Sequence, residues 1–138
     1  MTLPSVTEWE EIKALDTASL TLRADAGDIW CQFQMGSRLI QGDGVEQDQF
    51  KAFDYYLKAA IGGLGEAQHM VAVFIHGGYV DGHDQNDAAA WDFLAVLNRT
   101  EGAGDIFIKT CRDEAAIEAC RARAREIEAG HPTVTSGV

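Results

Sequence analysis

Shifted by 36 residues, the chain lies on itself without a gap. Gln32 falls on Gln68, Gly42 on Gly78, Asp48 on Asp84, Ala52 on Ala88 and Ala59 on Ala95. Gly27 falls on Gly63, and aromatic Tyr55 on aromatic Trp91. Where identity fails, character holds: Cys31 meets Ala67, Met35 meets Val71 and Leu39 meets Ile75. A period in this range marks supersecondary units that stack, because one such unit cannot bury its apolar face alone.

Each unit reads as two helices. In "DIWCQFQMGSRLIQ", Ile29, Phe33 and Ile40 mark one side and Cys31, Met35 and Leu39 another. Apolar groups on both sides suit a helix packed between neighbours. Gly42 ends this helix, since glycine accepts the left-handed cap. Asp48 caps the next, "QFKAFDYYLKAAI", a contribution of about 1 kcal/mol, and Gly62-Gly63 stops it. The second unit follows the same plan: a helix from about Gly65 to His76, the turn "GGYVDGHD", a cap at Asp84, and a helix to about Asn98. Gly36 and Ala72 share one slot and Ala52 and Ala88 another, letting helices approach while Tyr55 and Trp91 fill the remaining space. The prolines, Pro4 and Pro132, lie at the two ends, so the interior is free of the strongest helix breaker.

These residues resemble a known family. "CQFQMGSRLIQGDGVEQDQFKAFDYYLKAA" is similar to the Sel-one-like repeat, a tetratricopeptide-like α/α repeat. Gln32 stands for the family's glutamine, Met35-Gly36 for Leu-Gly, and Gly42-Asp43-Gly44-Val45 for its turn. Asp48, Lys51-Ala52, Tyr55 in place of tryptophan, and Lys58-Ala59-Ala60 complete the match. The second unit keeps Ala67-Gln68, Gly78, Asp84, Ala88 and Trp91, but Val80-Asp81 replaces Gly-Val.

The resemblance implies an all-α fold: a short α/α solenoid of about two helix-turn-helix repeats with an N-terminal helix and a C-terminal capping helix. The single domain then divides into an N-terminal cap (1–26), repeat one (27–62), repeat two (63–98), a capping region (99–130) and an unstructured tail (131–138). The N-terminal helix begins near Thr7 and carries Trp9 and Ile12, and "LRADAGDIW", Leu22 to Trp30, looks like the end of a preceding second helix. The segment from Thr110 to Pro132 reads as one long amphipathic helix, with Thr110 and Asp113 spaced for a capping box. "GDIF" at Gly104 echoes "GDIW" at Gly27, as a degraded third unit would.

The resemblance also implies a non-enzymatic interaction module whose first helices line a concave face. Its outward positions are Trp30, Phe33, Ser37, Ile40 and Gln41 in unit one, and Glu66, His69, Val73 and His76 in unit two. Trp30, Phe33 and Ile40 form a row able to anchor a partner unless the N-terminal helix covers them.

Charge narrows the partner. The formal net charge is −11. Between Asp43 and Asp92, nine acids face only Lys51 and Lys58. Nucleic-acid binding needs a basic footprint, so that class is excluded, and anionic membrane surfaces are disfavoured. A basic protein surface is the complementary partner. Asp43, Glu46, Asp81 and Asp84 are the candidate acidic edge. The narrower expectation is a bacterial immunity or inhibitor protein that neutralises a basic toxin or enzyme. The alternatives are an adaptor in a regulatory or secretion complex, and a small hydrolase.

No catalytic signature supports the hydrolase. Nucleophile-elbow, phosphate-loop and dinucleotide motifs are missing from the sequence. His69, His76 and His83 recur every seven residues near Asp81, Asp84 and Asp87, but "DGHDQND" does not fit a calcium loop and His83 lies beyond the glycine turn. Neither metal nor cofactor is expected. Cys31 occupies a small core slot, while Cys111 and Cys120 would sit far apart on one helix, so a reduced compartment is expected. With no basic-then-apolar leader and no run of about 18 apolar residues, the expectation is cytoplasmic.

Overall fold

The computed structural model describes residues 4–130; the expectation for 131–138 falls outside them. Among the described residues there are eight helices and no strands. They form two compact units, within 1–63 and 64–138.

The first unit holds α1 (Val6–Ala14), α2 (Thr17–Asp25), α3 (Ile29–Gln41) and α4 (Gln49–Ile61). Every one of these helices starts on a side-chain cap. Ser5 and Glu8 form a capping box on α1, Asp16 accepts from Ser19 N, Asp28 from Trp30 N and Cys31 N, and Asp48 from Phe50 N and Lys51 N. Gly42 closes α3 at φ 70°, the left-handed conformation a side chain would strain. The N-terminal region is divided into α1 and α2 because Leu15 is extended and Asp16 starts a new helix, and α2 is the helix whose end was read at Leu22. The corner between them is held from α3. The buried Arg38 guanidinium donates to the carbonyls of Lys13 (2.9 Å) and Leu15 and to Thr17 Oγ1.

Helices α3 and α4 pack as a hairpin over Cys31, Met35, Leu39, Ala52, Phe53 and Ala59, all buried. Tyr56 rather than Tyr55 fills the space over Gly36. A Cβ at Gly36 would stand 2.7–2.9 Å from the Tyr56 ring. Tyr55 is only half-buried and donates to Asp25 Oδ1 at 2.9 Å. Gly36→Val should cost about 1–3 kcal/mol, since overpacking against a ring outweighs the gain in helix propensity. Urea denaturation checks this, and a stabilised variant would contradict the close approach.

The second unit holds α5 (Gly65–His76), α6 (Gln85–Leu97), α7 (Asp105–Thr110) and α8 (Glu114–Glu128). Asp84 and Asp87 form a capping box on α6. Helices α5 and α6 pack over Val71, Ala72, Ile75, Ala88, Trp91 and Ala95, and α8 adds Cys120, Ala124 and Ile127. Arg123 on α8 donates Nε to Asp87 Oδ1 at 2.6 Å, tying α8 to the start of α6.

The expected long tail helix is in fact broken. Thr110 ends α7, Cys111 leaves the helical region, and Asp113 alone caps α8 by accepting from Ala116 N. Consequently Cys111 and Cys120 are not spread along one helix. Both are buried. Burial pushes the Cys120 thiol up to about 12.

Candidate functional site

On α5, His69, Val73 and His76 follow one another at spacings of four and three, which places them on one helical face. They line an open groove of about 420 Å³, completed by Gly77, Tyr79, Gly102, Asp105, Ile106 and Lys109. Gly77 and Tyr79 come from the turn after α5, and the last three from α7. Tyr79 at the rim is 55% exposed, and its ring packs on Phe74 at 6.0 Å.

Behind the groove lies Asp92, an α6 carboxylate with no exposed surface. Its Oδ2 accepts from the backbone N–H groups of Gly104 and Phe107, both at 3.0 Å. Gly104, at φ 115°, has no side chain to cap α7, so Asp92 caps that helix from across the hairpin. Its Oδ1 meets His69 Nδ1 at 3.1 Å. A carboxylate offers only acceptors, so the Nδ1 facing it carries the proton. This contact holds the imidazole of His69 between Asp92 and the groove it lines. His76 repeats the arrangement on a smaller scale. Its Nδ1 lies 2.7 Å from the side-chain carbonyl of Gln85, to which it donates.

The outward row of the first unit is differently placed. Trp9 of α1 stacks edge-on against Trp30 at 5.6 Å and tilts against Phe33 at 6.5 Å. Phe33 packs on Tyr56 at 5.4 Å, and Ser37 Oγ lies 3.2 Å from the Tyr56 hydroxyl. Trp30, Phe33 and Ser37 are therefore half-buried inside the unit. Ile40 is half-buried beside an exposed Gln41, and Glu66 is exposed in the first turn of α5.

Among the acids, Asp43 and Asp81 are exposed in the two turns. Glu46 edges a hollow of about 350 Å³ floored by Met35 and Leu39. Asp84 is exposed but spends its carboxylate on the α6 cap. Among the described residues no three His, Cys, Asp or Glu side chains converge in a way that could hold a metal. His69 and His76 turn to different partners. No helix among those residues is long and apolar enough to cross a membrane.

No protein-family model matches the chain, and no curated protein matches its sequence. A solved structure does. It is similar to a Sel1 repeat protein from Oxalobacter formigenes, with a TM-score of 0.63 over 86% of this chain and 97% of that one, at 24% identity. The chain has the fold of a Sel1 repeat protein. In the Sel1 repeat fold the helix pairs α3–α4 and α5–α6 account for the 36-residue echo read from the sequence.

Sequence reasoning missed Asp92, which it counted only as one acid among nine. A readable signal was present. Ala88, Trp91, Asp92 and Ala95 share the spacing of one helical stripe, so Asp92 lies on the buried face of α6. A charge on such a stripe requires buried partners. Arg38 carried a similar signal, at a position equivalent to apolar Phe74.

Proposed function

We propose that this chain is a non-enzymatic module that binds a protein partner with a basic surface. The observation that carries this reading is the open groove on the first helix of the second unit. It brings together His69, Val73 and His76, with aromatic Tyr79 exposed beside them. Repeat proteins of this type use such first-helix surfaces for binding. The likeness to a Sel1 repeat protein supports it. Charge supports the choice of partner. The net charge of −11 and the exposed Asp43, Glu46 and Asp81 favour long-range attraction to a basic protein. The narrower reading is an inhibitor of immunity type that covers the basic active site of a toxin or enzyme.

Affinity capture from the native host followed by mass spectrometry identifies the partner. The decisive measurement is then its association rate with a variant carrying Asp43→Asn, Glu46→Gln, Asp81→Asn and Asp84→Asn. Asparagine at position 84 keeps a competent cap, so the fold is spared. The variant should associate several-fold (roughly 3–10-fold) more slowly at low salt, with a flatter dependence on ionic strength. An unchanged rate at low salt sinks the charge-guided reading.

A further inference from the structure

We infer that α1 is a displaceable strap. It swings about a hinge at Leu15 while the rest of the first unit stays folded, and its opening uncovers Trp30 and Phe33 on α3.

Little of α1 is inserted into the unit. Of its nine residues only Ile12 is buried; Trp9 is half-buried and the other seven are exposed. Its own order rests on contacts that move with it. Ser5 and Glu8 form the capping box, Lys13 pairs with Glu10 at 2.7 Å, and the Lys13 ammonium lies 5.9 Å from the Trp9 ring.

The seat beneath the helix is incompletely filled. A hollow of about 410 Å³ is lined by Glu8, Glu11 and Ile12 from α1, Arg23 from α2 and Trp30 from α3. A gap there withholds the dispersion contacts that lock a helix in place. The Trp30 indole nitrogen is also buried and donates to no protein atom among the described residues. A buried donor without a partner carries a free-energy cost that water relieves on opening.

The C-terminal end of α1, by contrast, is pinned. The carbonyls of Lys13 and Leu15 accept from the buried Arg38 guanidinium. Leu15 itself is extended, at φ −61° and ψ 142°, so the helical ladder is already interrupted there. A helix pinned at one end and lightly seated along its length opens from the free end, as a local unit of low stability.

What lies under the strap gives its opening a consequence. Trp9 meets Trp30 at 5.6 Å and Phe33 at 6.5 Å. With α1 seated, both α3 rings are half-buried. With α1 away, they form an apolar row in water. Any partner that uses this row competes with α1, and its apparent affinity falls by the fraction of chains that are open.

The experiment follows native-state hydrogen exchange of the full chain by NMR, with and without sub-denaturing urea. Amides of residues 9–14 should exchange roughly 100-fold faster than those of Met35, Gly36 and Leu39. They should respond little to urea, because local opening exposes little surface. The boundary should fall at the hinge, so that Leu20, whose amide donates to the Asp16 carbonyl, exchanges with the core. The Trp30 indole N–H should exchange with α1, and that of Trp91 with the core. Trp9→Ala should speed exchange in α1 and at the Trp30 indole by about tenfold. Fraying of α1 without undocking gives the opposite sign in α1, because alanine is the better helix former. Exchange of α1 at the rate and urea dependence of α3 overturns the strap. So does a Trp30 indole that exchanges with the core while α1 exchanges fast, or slower α1 exchange in Trp9→Ala. If that variant does not fold, the wild-type rates, their urea response and the Trp30 indole decide alone.

Discussion

Asp92→Ala is expected to lower the stability of the chain by about 3–5 kcal/mol, measured by urea denaturation. The carboxylate has no exposed surface and accepts three hydrogen bonds. Alanine would leave the amides of Gly104 and Phe107 and the His69 Nδ1–H without their partner, and each orphaned buried donor costs about 1–3 kcal/mol. It would also remove the cap from α7, a helix of only six residues that starts on a glycine. Asp92→Asn should cost less, about 1–2 kcal/mol, because the amide oxygen can still serve the two backbone donors. Its NH2 would then face His69, which must move its proton to Nε2. A loss below about 1 kcal/mol for Asp92→Ala would mean that the cap is not what holds α7.

The parts of this fold legible in the sequence are those whose cause is local. Asp48 and Asp84 cap helices three residues away, and Gly42 ends α3 through its own φ, so the hairpin bounds followed from short stretches. The parts that were not legible depend on partners far along the chain. Whether the N-terminal helix covers Trp30 and Phe33 stood open in the sequence, and the Trp9 contacts at 5.6 and 6.5 Å decide it. Asp92 finds its partners 12, 15 and 23 residues away. The break after Thr110 is a case where helical periodicity misled. The apolar spacing of α8 continues back through Cys111, but Asp113 satisfies the first turn of α8 and Thr110 closes α7. Of the candidate site, His69, Val73 and His76 were placed on one face by what the resemblance to the repeat family implies. The carboxylate that sets the character of His69 required the structure.

The repeat itself makes the second large prediction, because its two aromatic positions are not equivalent in packing. Trp91 is fully buried, and its indole nitrogen has no protein partner among the described residues, so its contribution is volume. Trp91→Ala should therefore cost about 3–5 kcal/mol, the transfer loss plus the cavity left in the buried core. Trp91→Phe, which keeps most of the ring and forfeits no hydrogen bond to protein, should cost about 1–2 kcal/mol. Its echo Tyr55 is half-buried, with a hydroxyl on exposed Asp25 and Lys58 over its ring at 5.2 Å. Tyr55→Ala should cost less, about 1–2 kcal/mol, since part of that side chain keeps its contact with water. Tyr56→Ala, which empties the space over Gly36, should come closer to the tryptophan value. Chemical denaturation of the four variants separates two accounts of the repeat. Equal losses at 55 and 91 would mean that the sequence register alone sets packing. The expected order, with 91 and 56 well above 55, means that each hairpin fills its own gap with whichever ring faces the small residue opposite.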